Sequence, residues 1–293
     1  MTAAWSGLLC PDKVSADCLM PSTYRSFLFV PGARQDRFAK ALAAGADAAI
    51  IDLEDAVLPS EKDKARADVL GWIDAWSGKG LAVRINSPRS AHGCADIAAF
   101  AASGALAKLD FIMVPKAETA VDLEIVAEAL GADIPLIAVM ESGRSLANVQ
   151  SVAARATGGM LFGGADFSAS LGADLANWDA MLTARGLVVA ACGAAGVPAY
   201  DVPFLDVKDP AGLAETTHKA RLMGFSGRAC IHPDQVSVVN AAFTPSEADI
   251  AEAQAIIDAL NNASGGAVLH KGKLVDRPVI LAAERVLAKA KSV

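Results

Sequence analysis

The stretch "AAIIDLEDAVLPSEK" occupies residues 48–62. Ala48 to Leu53 reads as a strand buried on both faces, and it runs straight into three acids, Asp52, Glu54 and Asp55. A carboxylate left unpaired in such a strand costs several kcal/mol or changes its protonation state. Acids at that point therefore mark either a site that handles a metal ion or a loop that caps the next helix. Immediately after them, "SEKDKARADVLGWIDAW" has the pattern of an amphipathic helix. Together the two segments form one strand-then-helix unit.

The unit recurs along the chain. Short apolar runs at 26–30 (SFLFV), 48–53 (AAIIDL), 81–85 (LAVRI), 111–115 (FIMVP), 135–140 (PLIAVM), 158–163 (GGMLFG), 198–202 (PAYDV) and 227–231 (GRACI) alternate with longer Ala-rich stretches. One of these is "TAVDLEIVAEALG", where Val121, Ile125 and Val126 recur at helical spacing and Gly131 ends the run. Strands that are each followed by a helix imply a parallel sheet, and eight is the number that closes a (β/α)8 barrel. The competing doubly wound sheet finds no support, because no GxGxxG follows the first strand. The expected fold is thus α/β, a (β/α)8 TIM barrel, over residues 25–235.

Beyond "CIHPDQ" the pattern changes. "PSEADIAEAQAIIDALNNA" (245–263) reads as one helix with Ser246 as its N-cap, "GGAVLHKGKLVD" (265–276) as a small hairpin, and "RPVILAAERVLAKAK" (277–291) as a last helix. Residues 236–293 are too few for a convincing independent domain, so this C-terminal helical extension is expected to pack on the barrel or on a neighbouring subunit. Residues 1–24 read as a flexible tail. They lack a basic n-region, and Pro11 and Asp12 break their short apolar stretch, unlike a signal peptide.

Composition excludes several classes. The 293 residues carry a formal charge of −7 with no dense Lys/Arg cluster, which argues against nucleic acid as a partner. No segment has the ~18 uninterrupted apolar residues of a membrane span. The five cysteines are scattered without a CxxC pair and the four histidines without HExxH, which suits reduced thiols in a cytoplasm and offers no zinc-ligand spacing.

In such a barrel the site lies at the C-terminal ends of the strands. The polar residues there are Arg34 after the first run, Asp52, Glu54 and Asp55 after the second, Arg84 and Asn86, Lys116, Glu141, Asp166, and Asp201 with Asp206. Glu141 and Asp166 terminate successive strands, so their carboxylates can converge across the mouth. Two oxygen ligands plus waters is a common way to hold Mg²⁺, although each acid alone could be solvated or cap a helix. Arg84 lies inside "LAVRIN" and needs an anionic partner, either a strand-end acid or a substrate carboxylate or enolate oxygen. Lys116 could form a Schiff base as metal-independent aldolases do, but an ion pair with Asp52, Glu54 or Asp55 is the preferred reading. The turn "VPGARQDRFAKAL", with Arg34, Arg37 and Lys40, can receive phosphate, a weak signal.

Taken in order, "RSFLFVPGARQDRFAKALAAGADAAIIDLEDAV", "VRIN", "VPKAE", "MESGRSLANV", "FGGADFSASLG", "GFSGRACIHPDQVSVVNAAFTPS" and "GKLVDRPVILAAERVL" closely resemble the citrate lyase β-subunit-like branch of the HpcH/HpaI aldolase family. The resemblance runs from about Arg25 to the C-terminus. It implies a (β/α)8 barrel, Mg²⁺, and trimeric or hexameric assembly. The implied chemistry is cleavage or formation of a C–C bond in a 3-hydroxyacyl thioester carried on CoA or an acyl carrier protein. Citryl-, malyl- or citramalyl-CoA would give acetyl-CoA plus oxaloacetate, glyoxylate or pyruvate.

By the same resemblance Glu141 and Asp166 are metal ligands and Arg84 binds substrate. Asp276, in "KLVDRP", is an acid delivered into a neighbouring subunit's site and the expected base. Glu54 and Asp55 would orient metal waters or nearby cations, Arg37 and Lys40 would hold CoA phosphates, and Asp52 is left as structural. One departure is Ala165-Asp166, where relatives often carry Glu-Asp. The alternatives are a malyl-CoA-type thioesterase, a Schiff-base aldolase using Lys116, and a non-catalytic assembly subunit.

Overall fold

The computed structural model describes residues 24–261 and 268–291. The reading of residues 1–24 as a tail, the end of the 245–263 helix and the start of the 265–276 hairpin therefore lie wholly or partly outside the described residues.

Eight parallel strands close on themselves in sequence order: β1 Ser26–Pro31, β2 Ala48–Asp52, β3 Leu81–Arg84, β4 Phe111–Val114, β5 Leu136–Met140, β6 Gly159–Phe162, β7 Ala199–Asp201 and β8 Gly227–Cys230. β8 returns to pair with β1 through Ser26↔Arg228, Phe27↔Ala229 and Leu28↔Cys230, so the barrel has no free edge. All eight sequence-expected strands are present, and most end a residue or so earlier than their apolar runs. Leu53 and Ile85, for example, are buried but lie just past β2 and β3.

The helices between and after the strands are α1 Phe38–Leu42, α2 Lys62–Asp74, α3 Ala91–Ala101, α4 Ala120–Leu130, α5 Gly143–Ala147, α6 Val149–Ala153, α7 Gly164–Leu171, α8 Trp178–Ala195, α9 Pro210–Met223 and α10 Pro233–Phe243. α10 follows β8 and lies against β1, β8 and α9. On α4 the buried apolar residues are Leu123, Val126 and Leu130, whereas Val121 and Ile125 are exposed. The helix carries aliphatic residues on two faces, and spacing alone does not choose between them. A Thr119–Asp122 capping box opens α4 and Gly131, in the left-handed region, closes it.

Two apolar layers follow from the period of two along each strand. On β2, Ala48 and Ile50 face the barrel axis with Phe27, Ala82, Phe111, Met113, Ile137, Val139, Leu161, Tyr200 and Ala229. Ala49 and Ile51 face outward to the helix layer with Val69, Ile73, Val126 and Val188. Inside the barrel the rings of Tyr24, Phe27, Phe111 and Tyr200 meet at tilted or edge-to-face angles, with centroids 4.6–5.2 Å apart. They plug the axis.

A buried polar cluster at the end of β7 interrupts the outer layer. Asp201 is fully buried and accepts from Arg185 Nε at 2.9 Å, while Arg228 Nη2 lies 3.9 Å from its other oxygen. Arg228 also donates to Thr216 and Thr217 Oγ1 and to the Val202 carbonyl. Asp201, a strand-end acid by sequence, is thus committed to structure.

The extension consists of α11 Glu247–Asn261, the antiparallel pair β9 Val268–His270 and β10 Lys273–Val275, and α12 Arg277–Lys291. Ser246 and Asp249 cap α11 reciprocally. Lys271 and Gly272, with φ of 49° and 76°, make the two-residue turn whose twist suits a hairpin. α11 packs on α12. No helix among the described residues is long and apolar enough to cross a membrane.

Removing Asp201 would strand two guanidiniums away from water. Asp201→Ala is expected to lower the unfolding free energy by about 3–5 kcal/mol, read as a fall in the urea midpoint at unchanged slope.

Candidate active site

The C-terminal ends of the strands surround a cavity of about 400 Å³. Its charged lining residues are Asp52, Asp55, Arg84, Glu141 and Asp166. Its apolar lining includes Val202, Pro203, Leu205 and Ile231, together with Phe29, Val139 and Leu161.

Arg84 is organised by strand register. Asp52 and Arg84 are partners across β2 and β3, so their side chains leave the barrel rim side by side. Arg84 Nε and Nη2 each meet one oxygen of Asp52 at 2.7 Å, a two-pronged ion pair almost out of water. The same carboxylate accepts the backbone N–H groups of Glu54 (2.9 Å) and Ala56 (3.1 Å), which folds the acidic loop back on the strand that carries it. Arg84 Nη1 is left facing Glu54 Oε2 at 3.2 Å and Asp55 Oδ2 at 3.7 Å. Burial disfavours the guanidinium's charge, but Asp52 first and then Glu54 and Asp55 more than compensate and hold its pKa above the usual range.

Lys116 joins the acidic loop to the fifth strand. It follows β4 in a left-handed backbone conformation, φ 51°, unusual for a residue with a side chain and a mark of local constraint. Its ammonium pairs with Glu54 and stands 3.7 Å from Asp55. Its backbone N–H donates to Glu141 Oε1 at 2.5 Å. Although burial works against the ammonium, the bond to Glu54 raises the Lys116 pKa, so the group is a held cation rather than a free amine. Burial pushes the Glu54 carboxyl upward, opposed by Arg84 and Lys116.

Glu141 and Asp166, both expected from strand ends, line the same cavity. Glu141 is buried and, among the described residues, receives a single hydrogen bond, the one from Lys116. Desolvation first, and then the negative charge of Glu54, push its pKa up to about 8, with Asp166 adding to the shift. Asp166 is half-buried and makes no side-chain hydrogen bond or ion pair among the described residues. Gly163 is what lets Glu141 sit there. A Cβ at 163 would stand 2.6 Å from Glu141 Cβ and 2.7 Å from Val139 Cγ1.

This donor set fits a hard divalent cation. Two carboxylates with mutually repelling charge and spare lone pairs share one cavity, and a cation between them would relieve both burial and repulsion. No group of three or more His, Cys, Asp or Glu side chains forms a complete ligand set among the described residues. A cation bound here would therefore keep water or substrate in its remaining positions.

The other expected residues are placed differently. Arg37 and Lys40 lie past β1, on a short 3-10 turn and on α1. They are exposed and make no salt bridge among the described residues. Asp276 is exposed between β10 and α12 and is not among the residues lining this chain's cavity. Asp52, left as structural by sequence, is the strut of Arg84. The backbone donor of Lys116 and the apolar wall of Val202, Pro203, Leu205 and Ile231 gave no sequence signal.

A closed eight-stranded parallel barrel with an Arg-and-carboxylate cavity at its C-terminal mouth defines a TIM-barrel enzyme site. The HpcH/HpaI aldolase/citrate lyase family model matches residues 25–233, and a model described as C–C bond lyase of the TIM-barrel fold matches 194–292. The chain belongs to the HpcH/HpaI aldolase/citrate lyase family. It is 38% identical to a (3S)-malyl-CoA thioesterase of Cereibacter sphaeroides over 92% of this chain and 95% of that one. It is 33% identical to an L-malyl-CoA/beta-methylmalyl-CoA lyase of the same organism, again over 92% and 95%. The crystal structure of protein CitE from Mycobacterium tuberculosis in complex with magnesium, acetoacetate and coenzyme A superposes with a TM-score of 0.77 at 33% identity, covering 92% of this chain and 99% of that one.

Gly163→Ala is expected to cost about 1–3 kcal/mol of stability by forcing Glu141 and Val139 aside. Gly186→Ala in α8, where an added Cβ meets nothing within 4 Å, serves as the control and is expected to be neutral or stabilising in the same urea titration.

Proposed function

We propose that this protein is a Mg²⁺-dependent carbon–carbon lyase acting on a 3-hydroxyacyl-CoA thioester of the malyl, citramalyl or citryl type. The products are acetyl-CoA and a 2-oxo acid. The observation that carries the reading is the sharing of one cavity by Arg84, Glu141 and Asp166. It pairs a fixed cation with two carboxylates, as a substrate with an anionic carboxylate and a charge-developing thioester requires. Family membership and the CoA-thioester substrates in the names of two relatives support it.

The reaction breaks the bond between the hydroxyl-bearing carbon and the thioester's α-carbon. A base removes the hydroxyl proton, the C–O bond gains carbonyl character, and the electron pair of the broken bond moves onto the thioester as an enolate. Protonation of the α-carbon then gives acetyl-CoA. Arg84, with Nε and Nη2 committed to Asp52 and Nη1 held near Glu54 and Asp55, is a fixed cation at the cavity wall for the enolate or substrate carboxylate, in place before charge develops. Glu54 and Asp55 hold Arg84 and Lys116 in position, and Glu141 and Asp166 are the residues that would hold the metal. When bound, Mg²⁺ supplies Lewis acidity toward the substrate's hydroxyl and carboxylate oxygens. Arg37 and Lys40, exposed past β1, are assigned to CoA phosphates.

Asp276 is assigned as the base, supplied by a neighbouring copy in a homotrimer or hexamer. Leu269 and Leu274 are register partners on the hairpin just before it, 70% and 55% exposed, and Leu281 on α12 is also exposed. Adjacent apolar side chains left in water are what a subunit contact would cover.

Thioester hydrolysis is the second reading, favoured by the 38% identity to a malyl-CoA thioesterase against 33% to a malyl-CoA lyase. Incubation with malyl-, citramalyl- and citryl-CoA separates the two. The lyase releases acetyl-CoA and an oxo acid, while a hydrolase releases free CoA and the intact hydroxy acid. EDTA is expected to abolish turnover and added Mg²⁺ to restore it; full activity in EDTA would refute the metal role.

Mixed oligomers test the shared site. Asp276→Ala and Arg84→Ala chains, each inactive alone, are expected to regain part of the activity when co-assembled, because some hybrid sites carry both residues. Absence of rescue in confirmed mixed oligomers would place the base within the chain.

A further inference from the structure

The apolar wall of the cavity is built from two separate loops. Val202, Pro203 and Leu205 follow β7, and Ile231 follows β8. Neither segment belongs to a helix or strand, so the wall's shape depends on what its backbone groups bond to.

One buried side chain reaches both. Gln235, 3% exposed in the first turn of α10, accepts from the backbone N–H of Ile231 at 2.9 Å and of His232 at 3.3 Å through Oε1. Its Nε2 donates to the carbonyl of Phe204 at 2.7 Å. The first two bonds belong to the cap of α10, completed by His232 accepting from the Asp234 N–H. The third does nothing for the helix. It ties the loop after β7 to the loop after β8, between two residues whose side chains line the cavity. Arg228 anchors the same loop two residues earlier, through the Val202 carbonyl at 2.9 Å.

We propose that Gln235 is a positioning residue. Its amide clamps the two loops into one apolar wall against which the acyl part of the substrate is seated, in the same cavity as Arg84, Glu141 and Asp166. This rests on the thioester chemistry proposed above. A carboxylate in place of the amide keeps both acceptor bonds, since Glu serves the capping role equally well, but it has no N–H for Phe204. The Glu and Ala variants thus separate the cap from the clamp.

The test compares wild type, Gln235→Glu and Gln235→Ala by amide hydrogen exchange and by kinetics with malyl-, citramalyl- and citryl-CoA. In wild type the side-chain NH2 of Gln235 is expected to exchange slowly, because it is buried and bonded to the Phe204 carbonyl. In the Ala variant, exchange at Ile231 and His232 is expected to quicken, and KM to rise roughly tenfold with kcat changed less than about threefold, the scale of one lost hydrogen bond. Gln235→Glu is expected to keep slow exchange at Ile231 and His232 while sharing the raised KM. Fast exchange of the wild-type Gln235 NH2 overturns the clamp. Wild-type KM in the Glu variant reduces Gln235 to a helix cap and overturns the positioning role. A wild-type chain that turns over no thioester yet shows this exchange pattern overturns the chemical reading and leaves the clamp standing.

Discussion

The ion pair between Arg84 and Asp52 is the constraint on which the site depends. Both residues end strands, and parallel register sets them side by side, so the barrel itself delivers the pair. A guanidinium this deep needs acceptors, and Asp52 supplies two short bonds, one from each of its oxygens. Because Asp52 also holds the amides of Glu54 and Ala56, the pair fixes the loop that brings Glu54 to Lys116. Lys116 in turn donates its backbone N–H to Glu141. A chain of bonds thus runs from β2 through the mouth to β5, and each link is held by the one before it.

Charge balance follows from the same arrangement. Four carboxylates (Asp52, Glu54, Asp55 and Glu141) crowd two cations, with Asp166 nearby, so the mouth has an excess of negative charge. Asp52 is satisfied by Arg84, whereas Glu54 gives one oxygen to Lys116 and keeps its buried Oε2 without a hydrogen-bond partner among the described residues. The raised pKa of Glu141 reports its own burial first and then the charge of Glu54. An excess of fixed negative charge around one cavity is what a cation bound there would offset.

Much of the architecture was legible because each strand is buried on both faces and so appears as an unbroken apolar run. Strand ends then pointed to Glu141 and Asp166, which do share the cavity, and Lys116 took the preferred ion pair. The partner of Arg84 was not legible, since it depends on β2–β3 register, and a register shift by one residue would have changed it. Asp201 looked like a candidate site acid, but a strand-end acid can face the outer layer as easily as the mouth, and two buried arginines claim it. Helical spacing on α4 picked out Val121 and Ile125, which are exposed, because the opposite face is equally aliphatic. The left-handed Lys116 and the wall tied by Gln235 rest on backbone conformation and long-range bonds, which leave no local mark on sequence.

The ring stack of Tyr24, Phe27, Phe111 and Tyr200 fills the barrel's axis and leaves it a cup rather than a tunnel. A cup has one doorway. Whatever enters it must depart by the opening through which it came, so the direction of traffic is imposed by four aromatic side chains that do not line the cavity.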